Sequence, residues 1–240
     1  MEILSRTPST KDVLEIIRIL RSTPNNGESF DKDKHLNEFI EKPWGCEYRV
    51  YCDSIFDVWK LHLDAHQSTS MHCHIQKDTV LICLSGSGAT TFLDGESFTL
   101  QPGRRVYINK GVFHQTVASE EGIELIEVEN PRNKFDLLRL QDSYGRQHTA
   151  YEKSSLKHDL LSPMEEIGPG MHIRHRDLHQ RTTFKINKLD KSHLSDHEKS
   201  IFIALDVKHH LSGKIHILDT ADAWAENYHG QKILLITSKQ

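Results

Sequence analysis

His72 and His74 stand two residues apart, and His114 follows in a Gly111-x2-His114 segment. On an extended strand, positions i and i+2 point to the same face, so one strand delivers both imidazoles side by side. Three neutral imidazoles suit Zn, Fe, Mn, Ni or Co, and their spacing does not choose among them. A divalent metal held this way stabilises a developing oxyanion.

The ligand pair needs a strand to carry it. Residues 66–88 read as a His-x-His strand, a short polar break, an apolar strand over 79–84 and a Ser85-Gly-Ser-Gly88 turn. That order predicts a hairpin with the imidazoles at its mouth. Further short strands are expected at 47–51, 56–63, 89–93, 97–100, 106–108, 112–117 and 124–129, with Asp94-Gly95 as a hairpin turn. Many short strands separated by turns predict an all-β fold, a closed barrel or sandwich of the jelly-roll type.

Residues 1–40 form a separate N-terminal helical segment. Ser9 caps a helix with Asp12 in its first turn, and Val13, Ile16, Ile17 and Leu20 form an apolar stripe. Pro24-Asn-Asn-Gly27 stops it, and 31–40 suggest a second short helix. The stripe is expected to pack on the barrel or on a neighbouring subunit. Residues 148–240 read as strands at 183–189, 200–207, 214–218 and 232–237, with a helical turn at 221–226.

The chain has 240 residues, 37% hydrophobic and 27% charged, enough for one large domain or two small ones. A net charge of −4 gives no basic footprint for nucleic acid. No apolar run approaches the roughly 20 residues of a membrane span. The N-terminus lacks the apolar region of an export signal. The four cysteines form no CxxC pair, so a cytoplasmic protein with reduced thiols is expected.

Two motifs carry a family resemblance. The first cupin motif, G-x5-H-x-H-x(3,4)-E-x6-G, is similar to His66-x5-His72-x-His74-x4-Thr79-x6-Gly86. The second, G-x5-P-x-G-x2-H-x3-N, is similar to Gly103-x5-Asn109-x-Gly111-x2-His114-x3-Ala118. The spacing is kept and the three histidines match; the opening Gly, the Glu, the Pro and the Asn do not. Over residues 41–147 the chain also resembles the cupin domain of type II mannose-6-phosphate isomerases. Glu41-Lys-Pro-Trp-Gly45, Glu124-Leu-Ile-Glu-Val128 and the stretch ending Tyr144-Gly-Arg146 carry that likeness. The resemblance implies a cupin jelly-roll barrel over 41–147 and a homodimer. It leaves 148–240 as either a degenerate second cupin or a strand extension or dimer interface; without a His-x-His strand, no second metal is expected there.

The fourth metal donor stays open. Motif register puts Thr79 where a cupin has Glu, and Asp78 lies one residue earlier. A three-His, one-Asp site with Asp78, three histidines with water, and a metal-free cavity all follow. The resemblance implies a sugar-phosphate or nucleotide-sugar isomerase or epimerase in polysaccharide precursor synthesis. Glu127 and, less directly, His62 are candidate bases; Arg146 and Lys60 are candidate phosphate-binding cations. A buried hydrogen-bonded acid at Glu127 and a rim ion pair at Arg146 are the structural alternatives. An iron-dependent dioxygenase and a non-catalytic sugar-binding or regulatory cupin are competing functions.

Overall fold

A computed structural model describes residues 3–22, 35–145, 161–190, 200–206, 214–218 and 228–238. In chain order the elements are β1 (Ile3–Arg6), α1 (Thr10–Ser22), β2 (Phe39–Lys42), β3 (Gly45–Cys52), β4 (Asp57–Leu63), β5 (Met71–Cys73), β6 (Asp78–Phe92), β7 (Ser97–Leu100), β8 (Arg105–Ile108), β9 (His114–Asn130) and β10 (Leu138–Gln141). They are followed by β11 (Glu165–Gly168), β12 (Met171–Ile173), β13 (Thr182–Lys188), β14 (Ser200–Ala204), β15 (Ile217–Leu218) and β16 (Lys232–Ser238).

The all-β expectation holds, and the strands make a jelly roll. Its spine is β8-β6-β9-β4-β3, with β12 and β11 continuing the sheet beyond β3. The Ser-Gly-Ser-Gly segment is not a turn. β6 runs straight through it, paired with β9 from Asp78↔Asn130 to Phe92↔His114, with register shifts at Cys83/Ser85 and Gly86/Gly88. Gly86 has φ +71°, and a Cβ there would stand 2.2 Å from the Gly122 carbonyl oxygen. The glycines are bulge positions that bend two long strands together. The expected His-x-His hairpin is also corrected: β5 pairs with β9 and β10, not with β6.

Strand alternation separates two faces. Trp59, Leu61, Leu81 and Leu125 turn into the barrel. Val50, Val58, Val80, Ile82, Ile126 and Val128 turn outward, yet all are buried. They pack against Phe184, Ile203, Leu234 and Ile236 of a second sheet, ordered β13-β16-β14-β15. Strands covered on both faces read as continuous apolar runs, as 79–84 does. The described C-terminal residues therefore extend and cover the barrel: β12 hydrogen-bonds to β3, and the four-stranded sheet lies over the outer face.

α1 begins as the sequence predicts. Asp12 accepts from the Ser9 backbone N–H at 2.8 Å, and the Asp12 N–H donates back to Ser9 Oγ at 3.2 Å, a reciprocal cap. The packed face differs from the expected stripe. Ile16 and Ile19 lie on Met71, Cys73 and Phe113, whereas Val13, Leu14, Ile17 and Leu20 are exposed. The buried Asp12 carboxylate fixes this rotation by accepting from the Phe113 N–H at 2.9 Å. The second short helix is not formed where 31–40 are described; Phe39 and Ile40 enter β2 instead. The expected helical turn at 221–226 lies outside the described residues. No helix among the described residues is long and apolar enough to cross a membrane.

Candidate metal centre

β5 carries His72 and is held between two strands, with His72 facing His114 of β9 on one side and Arg139 of β10 on the other. The i, i+2 spacing then turns His74 toward the same centre. The rings cluster with centroids 5.1 Å (His72–His74), 4.5 Å (His72–His114) and 5.5 Å (His74–His114) apart. One ligand atom from each lies within 4.8 Å of the others.

Each Nδ1 faces a main-chain carbonyl: Ser70 O at 2.7 Å from His72, Asp136 O at 2.5 Å from His74, and Val112 O at 3.0 Å from His114. A carbonyl only accepts, so Nδ1 carries the hydrogen and Nε2 keeps its lone pair. The Nε2 of His74 is buried and has no hydrogen-bond partner. Burial holds all three imidazoles neutral, His114 with its pKa lowered to about 4 and His72 and His74 well below their ordinary value. Neutral, tautomer-fixed nitrogens around a buried orphan lone pair fit a divalent transition metal. His72, His74 and His114 would hold it.

The cavity around them is charged on both signs. Lys42, Lys77, Lys134 and Arg139 line it together with Glu47, Glu127 and Glu129. Its water-sized space is about 60 Å³. Lys134 lies 3.1 Å from Glu127, 3.5 Å from Glu129 and 3.6 Å from Glu47, and 4.2 Å above the Trp59 ring. Lys77 donates to Glu129 Oε1 at 2.6 Å. Burial lifts the Glu127 carboxyl to about 7 against the pull of Lys134. Burial also opposes the charge of Glu129, but Lys134 and Lys77 outweigh it and hold that carboxyl below its usual range.

The structure brings His72, His74, His114 and Glu127 into one cavity. It does not bring Asp78 there. Asp78 falls on the outward parity of β6, where it accepts from the Lys110 N–H at 2.8 Å and the Tyr107 hydroxyl at 3.3 Å. Thr79, on the inward parity, buries a hydroxyl with no hydrogen-bond partner. Lys60 is likewise corrected as a cavity cation. It alternates outward from Trp59 and Leu61 and pairs with Asp177 at 2.5 Å and Glu124 at 3.3 Å. His62 shares that outward parity, half-exposed and 3.2 Å from Asp64. Arg146 lies outside the described residues. Sequence reasoning missed Glu129, Lys77, Lys134, Lys42, Glu47 and Arg139. Glu129 was findable, since it stands two residues after Glu127 on one strand; Lys134 sits in a loop with no periodic signal.

Residues 59–129 match the family model described as a cupin domain. The matched stretch covers less than a third of the chain. It contains all three histidines and Thr79. Solved structures similar to the chain include KdgF from Halomonas sp., at 19% identity and TM-score 0.38, covering 45% of this chain and 97% of that one. A sugar phosphate isomerase of the cupin superfamily from Silicibacter pomeroyi is 20% identical at TM-score 0.30, covering 32% of this chain and 51% of that one. The capsular polysaccharide assembling protein CapF from Staphylococcus aureus is 14% identical at TM-score 0.36, covering 43% and 34%. The chain thus spans about half of the isomerase and a third of CapF. Likeness at these identities and scores does not transfer an activity. No curated protein matches the chain.

Proposed function

We propose that the chain is a metal-dependent cupin that acts on a sugar phosphate or nucleotide sugar, moving a proton between adjacent carbons as an isomerase or epimerase. The observation that carries this reading is Glu127. Its carboxyl is buried in the histidine cavity, and its proton affinity lies near neutrality. A base poised near the working pH suits proton abstraction beside a carbonyl. A divalent metal on the three Nε2 atoms supplies charge stabilisation for the oxyanion that develops.

Glu127 takes the proton from one carbon and returns it to the next. Lys134, 3.1 Å away, stabilises its carboxylate before the proton is taken and again after it is returned. Four basic side chains line the cavity against three carboxylates, so its lining carries net positive charge. That excess suits an anionic substrate, with the phosphate or nucleotide portion outside the narrow interior. The cytoplasm and a homodimer are the setting proposed for it.

Metal content of the wild type beside a His72→Ala/His74→Ala variant tests the reading first. Near-stoichiometric metal in the wild type, lost in the variant, is expected, followed by turnover of a phosphosugar. A wild type that takes up no metal after incubation with divalent ions overturns it and leaves a non-catalytic sugar-binding or regulatory cupin. One observation favours a second reading, an iron-dependent dioxygenase: Thr79 stands in the place of the motif carboxylate, leaving three histidines on that side. Retained iron and oxygen uptake with substrate distinguish it.

A further inference from the structure

The carboxylate absent at position 79 has a counterpart directly across the sheet. Thr79 of β6 is paired with Glu129 of β9, so both side chains project from adjacent strands into the same face. Directly opposed residues have Cβ atoms about 5 Å apart. Glu129 and His74 each offer a ligand atom within 4.8 Å of the other. Lys77 and Lys134 both approach Glu129 through Oε1. Its Oε2 is buried and has no hydrogen-bond partner, as has Nε2 of His74.

Neither of these two orphan atoms brings a hydrogen. An imidazole lone pair and a carboxylate oxygen cannot satisfy one another, and burying both unpaired is costly. A cation between them satisfies both. We infer that Glu129 is the carboxylate ligand of this cupin site, the donor having moved from position 79 of β6 to position 129 of β9. Glu127, the other acid within reach of His74, has Lys134 on its Oε2 and remains the proton carrier. The inference rests on the metal-dependent reading above and adds which acid completes the site.

Co²⁺ titrated into the full chain is the test, read by the visible ligand-field absorption and by competition with a chelator. Glu129→Gln is expected to weaken Co²⁺ binding by roughly tenfold or more and to alter the absorption. Glu127→Gln is expected to leave both near wild type, and Thr79→Glu in the Glu129→Gln background to restore them. Because Glu129→Gln strands two lysines, the comparison is repeated between Lys77→Met and Lys77→Met/Glu129→Gln, which removes a buried pair together. Glu129→Gln protein with wild-type affinity and spectrum overturns the assignment, as does an equal loss in Glu127→Gln. Wild type without Co²⁺ binding instead overturns the metal-dependent reading itself.

Discussion

Glu127 and Glu129 are two positions apart on β9 and share a face, yet their surroundings divide their behaviour. Glu129 is held by Lys134 at 3.5 Å and Lys77 at 2.6 Å, which outweigh its burial, and it stays ionised. Glu127 has one lysine at 3.1 Å, and burial wins. Two carboxylates whose proton affinities are pushed apart divide their tasks, one fixed as an anion and one able to carry a proton. Glu127→Gln is therefore expected to lower kcat by about 100-fold or more, with metal content unchanged. Single-turnover kinetics beside elemental analysis checks this; a metal-replete variant with wild-type kcat would remove Glu127 from the chemistry. His74, Glu127 and the position-79 departure were each legible as residues. That Glu129 faces the Thr79 gap was not, because pairing across 50 residues is a property of register.

At the scale of elements, α1 is coupled to the site through one side chain. Asp12 caps its own helix at Ser9 and reaches Phe113, the neighbour of His114. Its Oδ1 accepts the Phe113 N–H inside the barrel wall, so removing it strands a buried donor. Asp12→Ala is expected to cost about 1–3 kcal/mol and to weaken metal binding by displacing His114. Denaturant unfolding and Co²⁺ affinity together check it; lost stability with unchanged affinity would confine Asp12 to capping. The cap was legible in Ser9-x-x-Asp12. The rotation of the helix was not: Val13, Ile16, Ile17 and Leu20 share one stripe, but the buried acid, rather than the stripe, decides which side meets the barrel.

Across the whole molecule, one buried pair ties the barrel to the segment that covers it. Lys60 on the outer face of β4 meets Asp177, and Asp177 Oδ1 accepts the Arg181 N–H at 2.7 Å in the turn leading into β13. Burial opposes the charge of Asp177, but the hydrogen bond and charge of Lys60 outweigh it and lower its pKa from 3.8. A depressed carboxylate contributes stability that is complete above its unfolded value and is lost as pH falls through its folded value. This contribution is therefore expected to persist at neutral pH and to disappear below pH 3.8. Lys60→Met leaves the Asp177 charge uncompensated and is expected to cost about 3–5 kcal/mol at pH 7, with metal content intact. Its deficit against wild type narrows in acid as Asp177 is protonated. Urea unfolding at pH 7 and below pH 3.8 measures both, and loss of metal with full stability would return Lys60 to the site.

By itself the sequence determined the all-β barrel and the three imidazoles, because alternation and i, i+2 spacing are local and survive any arrangement of distant strands. It also carried a sign of the outer layer: the apolar run at 79–84 has no polar face, so both faces need cover. Tertiary structure alone decided which charges share the cavity. Asp78 and Lys60 fall on the outward parity of their strands, where β8 and the 161–190 segment claim them. Lys77, Lys134 and Glu129 meet beside His74 because β9, the loop after it and the segment just before β6 converge there. Side-chain direction is set by each strand's own pleat, but the company a side chain keeps depends on register and on loops that bring remote residues within a few ångströms.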